Sequence, residues 1–178
     1  MPVILFCMVN PTKTVGFEKE PITVQEAYMK LSTKGRYGLR AILDLAINGE
    51  TEAVSIQSIS QRQNISEAYL EQLMRPLKKA GLIRSVRGAG GGYRMARDPK
   101  EISVGDILRA LEGDLTPVSC GAVTGEKGCD GADSCVTIYV WQKMNDAIQN
   151  AVDSIMLEEL IEQSRQNKCA DGKVQVCG

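Results

Sequence analysis

The sequence predicts a mainly α-helical fold: a winged helix-turn-helix with a small β-hairpin wing and a long C-terminal dimerisation helix. Three observations carry that expectation. Two short, capped helical patterns lie close together before Gly81, separated by a polar break. A glycine-rich hairpin pattern follows at once. Later, apolar residues recur at spacings of three and four from Ile138 to Ile155.

Residues 1–28 contain three prolines and Thr/Lys/Glu clusters without sustained periodicity, so an irregular N-terminal extension is expected. An organised pattern starts directly after Met29, which reads as an alternative start. Ser32 and Thr33 suit an N-cap, and Tyr37, Ala41, Ile42, Leu45 and Ala46 then share one helical face before Gly49. Ser55 caps a brief helix with Ile56 and Ile59 inward, broken at Gln63-Asn64. Ser66 caps the next helix, in which Tyr69, Leu70, Leu73 and Leu77 face inward and Gly81 closes the pattern.

Leu82–Val86 reads as a strand, residues 87–92 as a flexible tip and Tyr93–Met95 as the returning strand. A hairpin placed directly after the second helix of such a pair is a wing. Its glycines let backbone approach phosphates, while Arg84, Arg87, Arg94 and Arg97 bring positive charge. A nucleotide-binding loop is excluded, because GAGGG precedes a strand and lacks the Lys-Ser/Thr of a P-loop. Ser103 caps a further helix with Val104, Ile107, Leu108 and Leu111 inward. The long final pattern places Ile138, Trp141, Met144, Ile148, Val152 and Ile155 on one stripe, with a break near Ser154, a short last helix and a loose tail from Gln166. Nothing else in the chain covers that stripe, so it is expected to pair with a second copy.

Charge divides the chain. Residues 29–99 hold twelve basic and six acidic side chains, and residues 100–178 hold seven basic and thirteen acidic ones. A basic block followed by an acidic one suggests a nucleic-acid reader attached to a part with another task. No apolar run approaches the ~18 residues a bilayer requires. The opening VILFCMV has no basic residue ahead of it and stops at Asn10-Pro11, unlike a signal peptide. A cytoplasmic protein without a membrane partner is expected, and there six cysteines are more readily ligands or redox sensors than structural disulfides.

Three of those cysteines fall in CGAVTGEKGCDGADSC, residues 120–135, where no apolar run could build a core. A metal centre or a disulfide must hold such a loop. The chain contains no histidine, so a metal site would use sulfur and oxygen. With no CxxC motif and no substrate-cleft signature, the sequence does not read as an enzyme.

The stretches STKGRYGLRAILDLA, ISEAYLEQLMRPLKKAGLIRSVRGAGGGY and SVGDILRALEG, with the cysteine loop before a long helix, resemble the IscR-like winged-helix regulators. That family includes iron–sulfur sensors and the cluster-free CymR type. The resemblance runs from Met29 to about Ile161. It implies a homodimeric transcription regulator that binds imperfect palindromes of double-stranded DNA with one recognition helix per half-site. By position, Glu71 matches a recognition-helix glutamate that accepts from a cytosine amino group, and Arg87 matches a wing arginine that enters the minor groove. Ala68 stands where some relatives carry a base-contacting serine. Ser66, Tyr69, Gln72, Gly90, Gly91 and Gly92 complete the implied DNA-binding set.

Cys120, Cys129 and Cys135 correspond to the three cluster-ligating cysteines of the sensor branch, which implies an iron–sulfur cluster of the 2Fe-2S kind. Ile138 occupies the position of the ligating histidine found in the familiar sensor. The fourth ligand is then an oxygen of Glu126, Asp130 or Asp133, a thiolate of Cys169 or Cys177, a group of the other subunit, or an exogenous thiol or water. Two other readings stay open: a cluster-free regulator of cysteine metabolism acting by thiol oxidation or partner binding, and a small redox protein without DNA binding. The expected division is 1–28 extension, 29–99 DNA-binding domain, 100–119 connecting helix and linker, 120–135 cysteine loop, 136–165 dimerisation and final helices, and 166–178 flexible tail.

Overall fold

The computed structural model describes residues 32–88, 90–118, 120, 123 and 135–171, with side chains as far as residue 167. The expectations for residues 1–28, Cys129, Glu126, Asp130, Asp133 and Cys177, and for the side chain of Cys169, lie outside the described residues.

Each of the first three helices starts where a serine hydroxyl can accept from an otherwise orphaned backbone N–H. Ser32 caps α1, Thr33–Asn48. Ser55 caps α2, Ile56–Gln63, which ends on Asn64 in the left-handed region at φ 53°. Ser66 caps α3, Glu67–Lys79, and the helix runs on through Pro76. A two-stranded antiparallel hairpin follows, β1 Ile83–Val86 against β2 Gly92–Met95, with Val86 opposite Gly92. A 3-10 turn, Pro99–Glu101, leads to α4, Val104–Glu112. At its start Ser103 and Asp106 form a reciprocal capping box, each side chain taking the other's backbone N–H. Beyond the cysteine segment lie α5, Ile138–Ser154, and α6, Leu157–Asp171. Among the described residues no helix is long and apolar enough to cross a membrane.

One apolar core serves the whole N-terminal unit. Ala41, Ile42 and Leu45 of α1 meet Ile59 of α2, Leu70, Leu73, Met74 and Leu77 of α3, Ile83 of β1 and Ile107 of α4, all essentially inaccessible to water. At ~1.5–3 kcal/mol for each large side chain fully buried, this cluster is the principal force holding the helices together. One polar contact lies within it. Asp44 of α1 is 5% exposed and accepts from the Arg62 guanidinium, at 2.9 and 3.2 Å from Nε and 2.7 Å from Nη2, as well as from Gln63 at 3.0 Å and Asn48 at 3.4 Å. That hydrogen bonding raises the Arg62 pKa above its ordinary value and fixes α2 against α1. Arg40 adds a hydrogen bond of 2.8 Å to the last carbonyl of α2, at Gln63.

Three features add to or depart from the pattern read in the sequence. First, the wing has a third edge: Val54 forms a bridge with Tyr93 through bonds of 2.9 and 2.8 Å. Second, the final helix is not short, because α6 spans 15 residues and continues over residues 166–171, assigned above to the tail. Its first turns are anchored by Leu157 and Ile161, both buried in the N-terminal core, and by a bridge between Ser103 and Met156. Hydrophobic spacing reads a helix only as far as it has a buried face, and past Ile161 the residues are polar, so the spacing carries no signal there. Third, α5 has no fully buried residue; Ile138, Trp141, Ile148 and Val152 are half-buried while Tyr139, Val140 and Met144 are exposed.

Candidate nucleic-acid interface and cysteine segment

Burial of Leu70, Leu73, Met74 and Leu77 turns the opposite face of α3 outward, so Ser66, Ala68, Glu71, Gln72, Arg75, Lys78 and Lys79 are all exposed. The Ser66 hydroxyl accepts from the Tyr69 backbone N–H at 3.4 Å, which leaves its own proton for an outside acceptor such as phosphate. The methyl of Ala68 offers an apolar contact of the kind that suits a thymine methyl group. Glu71 and Gln72 present an acceptor and a two-way amide on the same surface, and neither is in an ion pair among the described residues. Tyr69 differs from these. It is half-buried and meets the Tyr37 ring edge-on at 6.0 Å, so much of its surface is committed to joining α3 to α1.

The wing brings Arg87 to an exposed tip beside Gly88 and Gly90. Gly88 has φ 119°, a conformation that side-chain-bearing residues rarely adopt. Gly90 has nothing within 4 Å of where a Cβ would lie, so its surface is open to a ligand. Gly91 and Gly92 answer to internal crowding: an added Cβ at Gly91 would sit 2.8 Å from the Gly88 carbonyl oxygen, and one at Gly92 2.3 Å from that of Val54. The sequence assigned all three glycines to phosphate approach without seeing that two of them serve packing.

Arg75, Lys78 and Lys79 were not singled out in the sequence, although three- and four-residue steps from Glu71 and Gln72 put them on the same face. Lys78 bonds to the Ser85 hydroxyl at 2.9 Å and thereby ties the end of α3 to the wing. In β1 and β2 Arg84 faces Arg94, a like-charge pair that is unfavourable until a polyanion covers it. Arg94 is partly relieved by donating to the Thr51 carbonyl. Arg97 turns away, its guanidinium donating to the Glu101 carbonyl at 2.5 Å.

Of the three loop cysteines, Cys120 and Cys135 are described and both are half-buried; Cys129 is not among the described residues. No group of three Cys, Asp or Glu side chains able to hold a metal ion comes together among the described residues. Cys135 lies three residues before the start of α5, with its sulfur 3.1 Å from the Thr137 hydroxyl. Hydrogen bonds from the Thr137 side chain and then from the Ile138 backbone N–H favour the thiolate and bring this thiol below its ordinary pKa. A thiol so placed is a competent ligand for soft metals.

The chain is similar to characterised proteins over this same region. The HTH-type transcriptional regulator IscR of Enterobacter sp. (strain 638) is 42% identical over 133 residues, covering 75% of this chain and 80% of the relative. The solved structure of T. potens IscR superposes with a TM-score of 0.64 at 41% identity, covering 83% of this chain and 93% of that one. That of CymR, the global cysteine regulator of B. subtilis, gives 0.62 at 41% identity, with 75% and 97% covered. These relatives are named as regulators and not as enzymes. With residues 31–163 matching Rrf2, described as an iron-dependent transcriptional regulator, the chain belongs to the Rrf2 family of transcriptional regulators.

Proposed function

We propose that this protein is a cytoplasmic, homodimeric transcription regulator that reads an imperfect palindrome with α3 and the wing, and that senses iron–sulfur status through residues 120–135. The observation carrying the DNA-reading part is the exposed α3 face, Ala68, Glu71, Gln72 and Arg75, with Arg87 at the wing tip, none of them in an ion pair among the described residues. Polar groups left unpaired in one patch are ready to exchange water for base edges and phosphates. Pairing of two copies is supported by α5, whose Tyr139, Val140 and Met144 are exposed apolar residues on a helix with no fully buried residue.

The donor set fits an iron–sulfur cluster: three cysteine sulfurs with no imidazole, one of them already biased towards thiolate by Thr137. Cys120, Cys129 and Cys135 would hold the cluster, with the fourth ligand drawn from Glu126, Asp130, Asp133, Cys169, Cys177, the other subunit or a small exogenous ligand. When bound, the cluster supplies a centre whose assembly, oxidation or loss reports iron and redox conditions. The chain's own part is mechanical. Residues 120–135 lie between α4, which is packed on α1, and α5, so ligation there can alter how two recognition helices are presented. In this division residues 29–99 read DNA, 100–119 connect, 120–135 sense and 136–165 pair the subunits.

A second reading has its own support. Ile138 leaves no imidazole at the start of α5, and a cluster-free regulator of cysteine metabolism would act through Cys135 as an oxidisable thiol or by binding a partner protein. Anaerobic purification with iron and sulfide analysis separates the two. About two irons and two sulfides per chain, lost in Cys129→Ala, are expected for the first reading. A colourless, iron-free protein whose operator binding is unchanged in Cys129→Ala supports the second. For DNA reading, operator affinity should fall steeply with salt, and Arg87→Ala should reduce both affinity and the salt slope, the latter by about one. Affinity insensitive to both overturns the assignment.

A further inference from the structure

Part of the attachment of α5 to α4 passes through one guanidinium, beside the bond from the Val104 N–H to the Ile155 carbonyl just past the end of α5. Arg109 of α4 reaches across with Nη2 to Gln149 Oε1 at 2.7 Å and to both carboxylate oxygens of Asp153, at 2.7 and 2.6 Å. Asp106 stands 4.0 Å from the same guanidinium but is committed to the α4 cap. Hydrogen bonding from Arg109 holds the Asp153 carboxyl below the usual carboxylate range, with the Ser103 hydroxyl assisting.

Gly105 makes the close approach possible. A Cβ there would lie 2.0 Å from Asp153 Oδ1 and 2.8 Å from Arg109 Nη1. Any larger residue at this position, one turn before Arg109, would fill the space that the carboxylate occupies. Asn145, Gln149 and Asp153 follow one another at four-residue steps and so form one polar row along α5. Arg109 serves the last two. Asn145 Oδ1 is buried and has no hydrogen-bond partner among the described residues. A contact between one cation and two acceptors is directional, whereas an apolar contact would tolerate sliding and tilting.

The geometry points to Arg109 as a positioning residue that sets the angle between α4 and α5, and through it the spacing of half-sites that the dimer accepts. This rests on the dimeric, operator-reading function proposed above. The lever is long enough for small changes to matter. With 17 residues, α5 extends about 25 Å, so a tilt of ~10° at the clamp displaces its far end by ~4 Å, roughly one base-pair rise. Relaxing the clamp therefore widens the range of spacings within reach, while the residues that touch DNA stay as they were.

Three full-length variants test it: Arg109→Gln, Asp153→Asn and Gly105→Ala. The last raises the helix propensity of α4, so it evicts the carboxylate without weakening that helix. A two-half-site duplex is first selected from random DNA by the native protein, then remade with the spacer one base pair longer and one shorter. Native protein should bind the altered duplexes about tenfold more weakly, and the variants should discriminate by less than about threefold. Dimer mass and affinity for an isolated half-site should be unchanged, which a general loss of structure would not allow. Variants that keep the native discrimination overturn the positioning role alone. A native protein that selects no two-half-site duplex overturns the operator reading, and the positioning role with it.

Discussion

A Cβ on Gly92 would fall 2.3 Å from the carbonyl oxygen of Val54, inside the short bridge that fastens the wing to the segment before α2. The obstacle is backbone on both sides, so no side-chain rotation can relieve it. Gly92→Ala should therefore break the paired bonds between Val54 and Tyr93 and cost ~1–3 kcal/mol, the range of overpacking substitutions. Gly90→Ala, with open space around it, should stay within ~0.5 kcal/mol. Urea unfolding of the two variants, with amide exchange at Val54 and Tyr93, measures the difference.

Glu71 is the one acidic side chain on the exposed face of α3 beyond its first turn, and its neighbours at Arg75, Lys78 and Lys79 are all cationic. A carboxylate there opposes phosphates at every sequence and repays that only where a cytosine amino group is within reach. Glu71→Ala should accordingly bind arbitrary duplexes more tightly than the native protein while losing ~1–3 kcal/mol of discrimination at one base pair of each half-site. Competition binding with single-position operator variants reads both effects together. A uniform loss of affinity at all sequences would show that Glu71 does not read bases.

Leu157 lies three residues past the end of α5, yet its side chain is wholly buried in the core of the N-terminal unit and its N–H bonds to the Ile102 carbonyl at 2.8 Å. Leu157→Ala should cost about 2–5 kcal/mol, as for a large side chain removed from a dense core, and a chain ended after Ser154 should be less stable still. Thermal unfolding of both checks this. An N-terminal unit that keeps its full stability without α6 would contradict it.

How far the sequence could be read follows from such cases. Caps and apolar spacing are local signals, and Ser32, Ser55, Ser66 and Ser103 each mark a helix start within a residue of where it occurs. The exposed face of α3 was legible for the same reason: four buried residues at helical spacing leave only one direction for Ala68, Glu71 and Gln72. Contacts that join distant segments left no such trace. Nothing in the spacing of Val54, Asp44 or Leu157 announces Tyr93, Arg62 or Ile102 as partners, because each pairing depends on chain separations that local periodicity does not encode. The glycines show both limits. Their number suggested an accessible loop, whereas only the folded backbone tells Gly90, which faces open space, from Gly92, which is wedged against Val54.

Cys135 offers a pH-dependent test of the sensing segment that needs no cluster. Its thiol is brought below the ordinary range chiefly by the Thr137 hydroxyl, 3.1 Å away, and secondarily by the Ile138 N–H. The hydroxyl donates to the thiolate better than to the thiol, so it favours the charged form and lowers the pKa. In metal-free, reduced protein, alkylation of Cys135 by iodoacetamide should reach half its plateau rate at lower pH than for an unperturbed cysteine, because the thiolate is the nucleophile. Thr137→Ala removes the larger contribution and should move that midpoint upward. The substitution takes nothing from the helix, since Thr137 makes no side-chain cap bond at the start of α5. Peptide mass mapping across a pH series gives the midpoint for this cysteine separately from the others. An unchanged midpoint in Thr137→Ala would leave the hydroxyl without a role in activating the thiol.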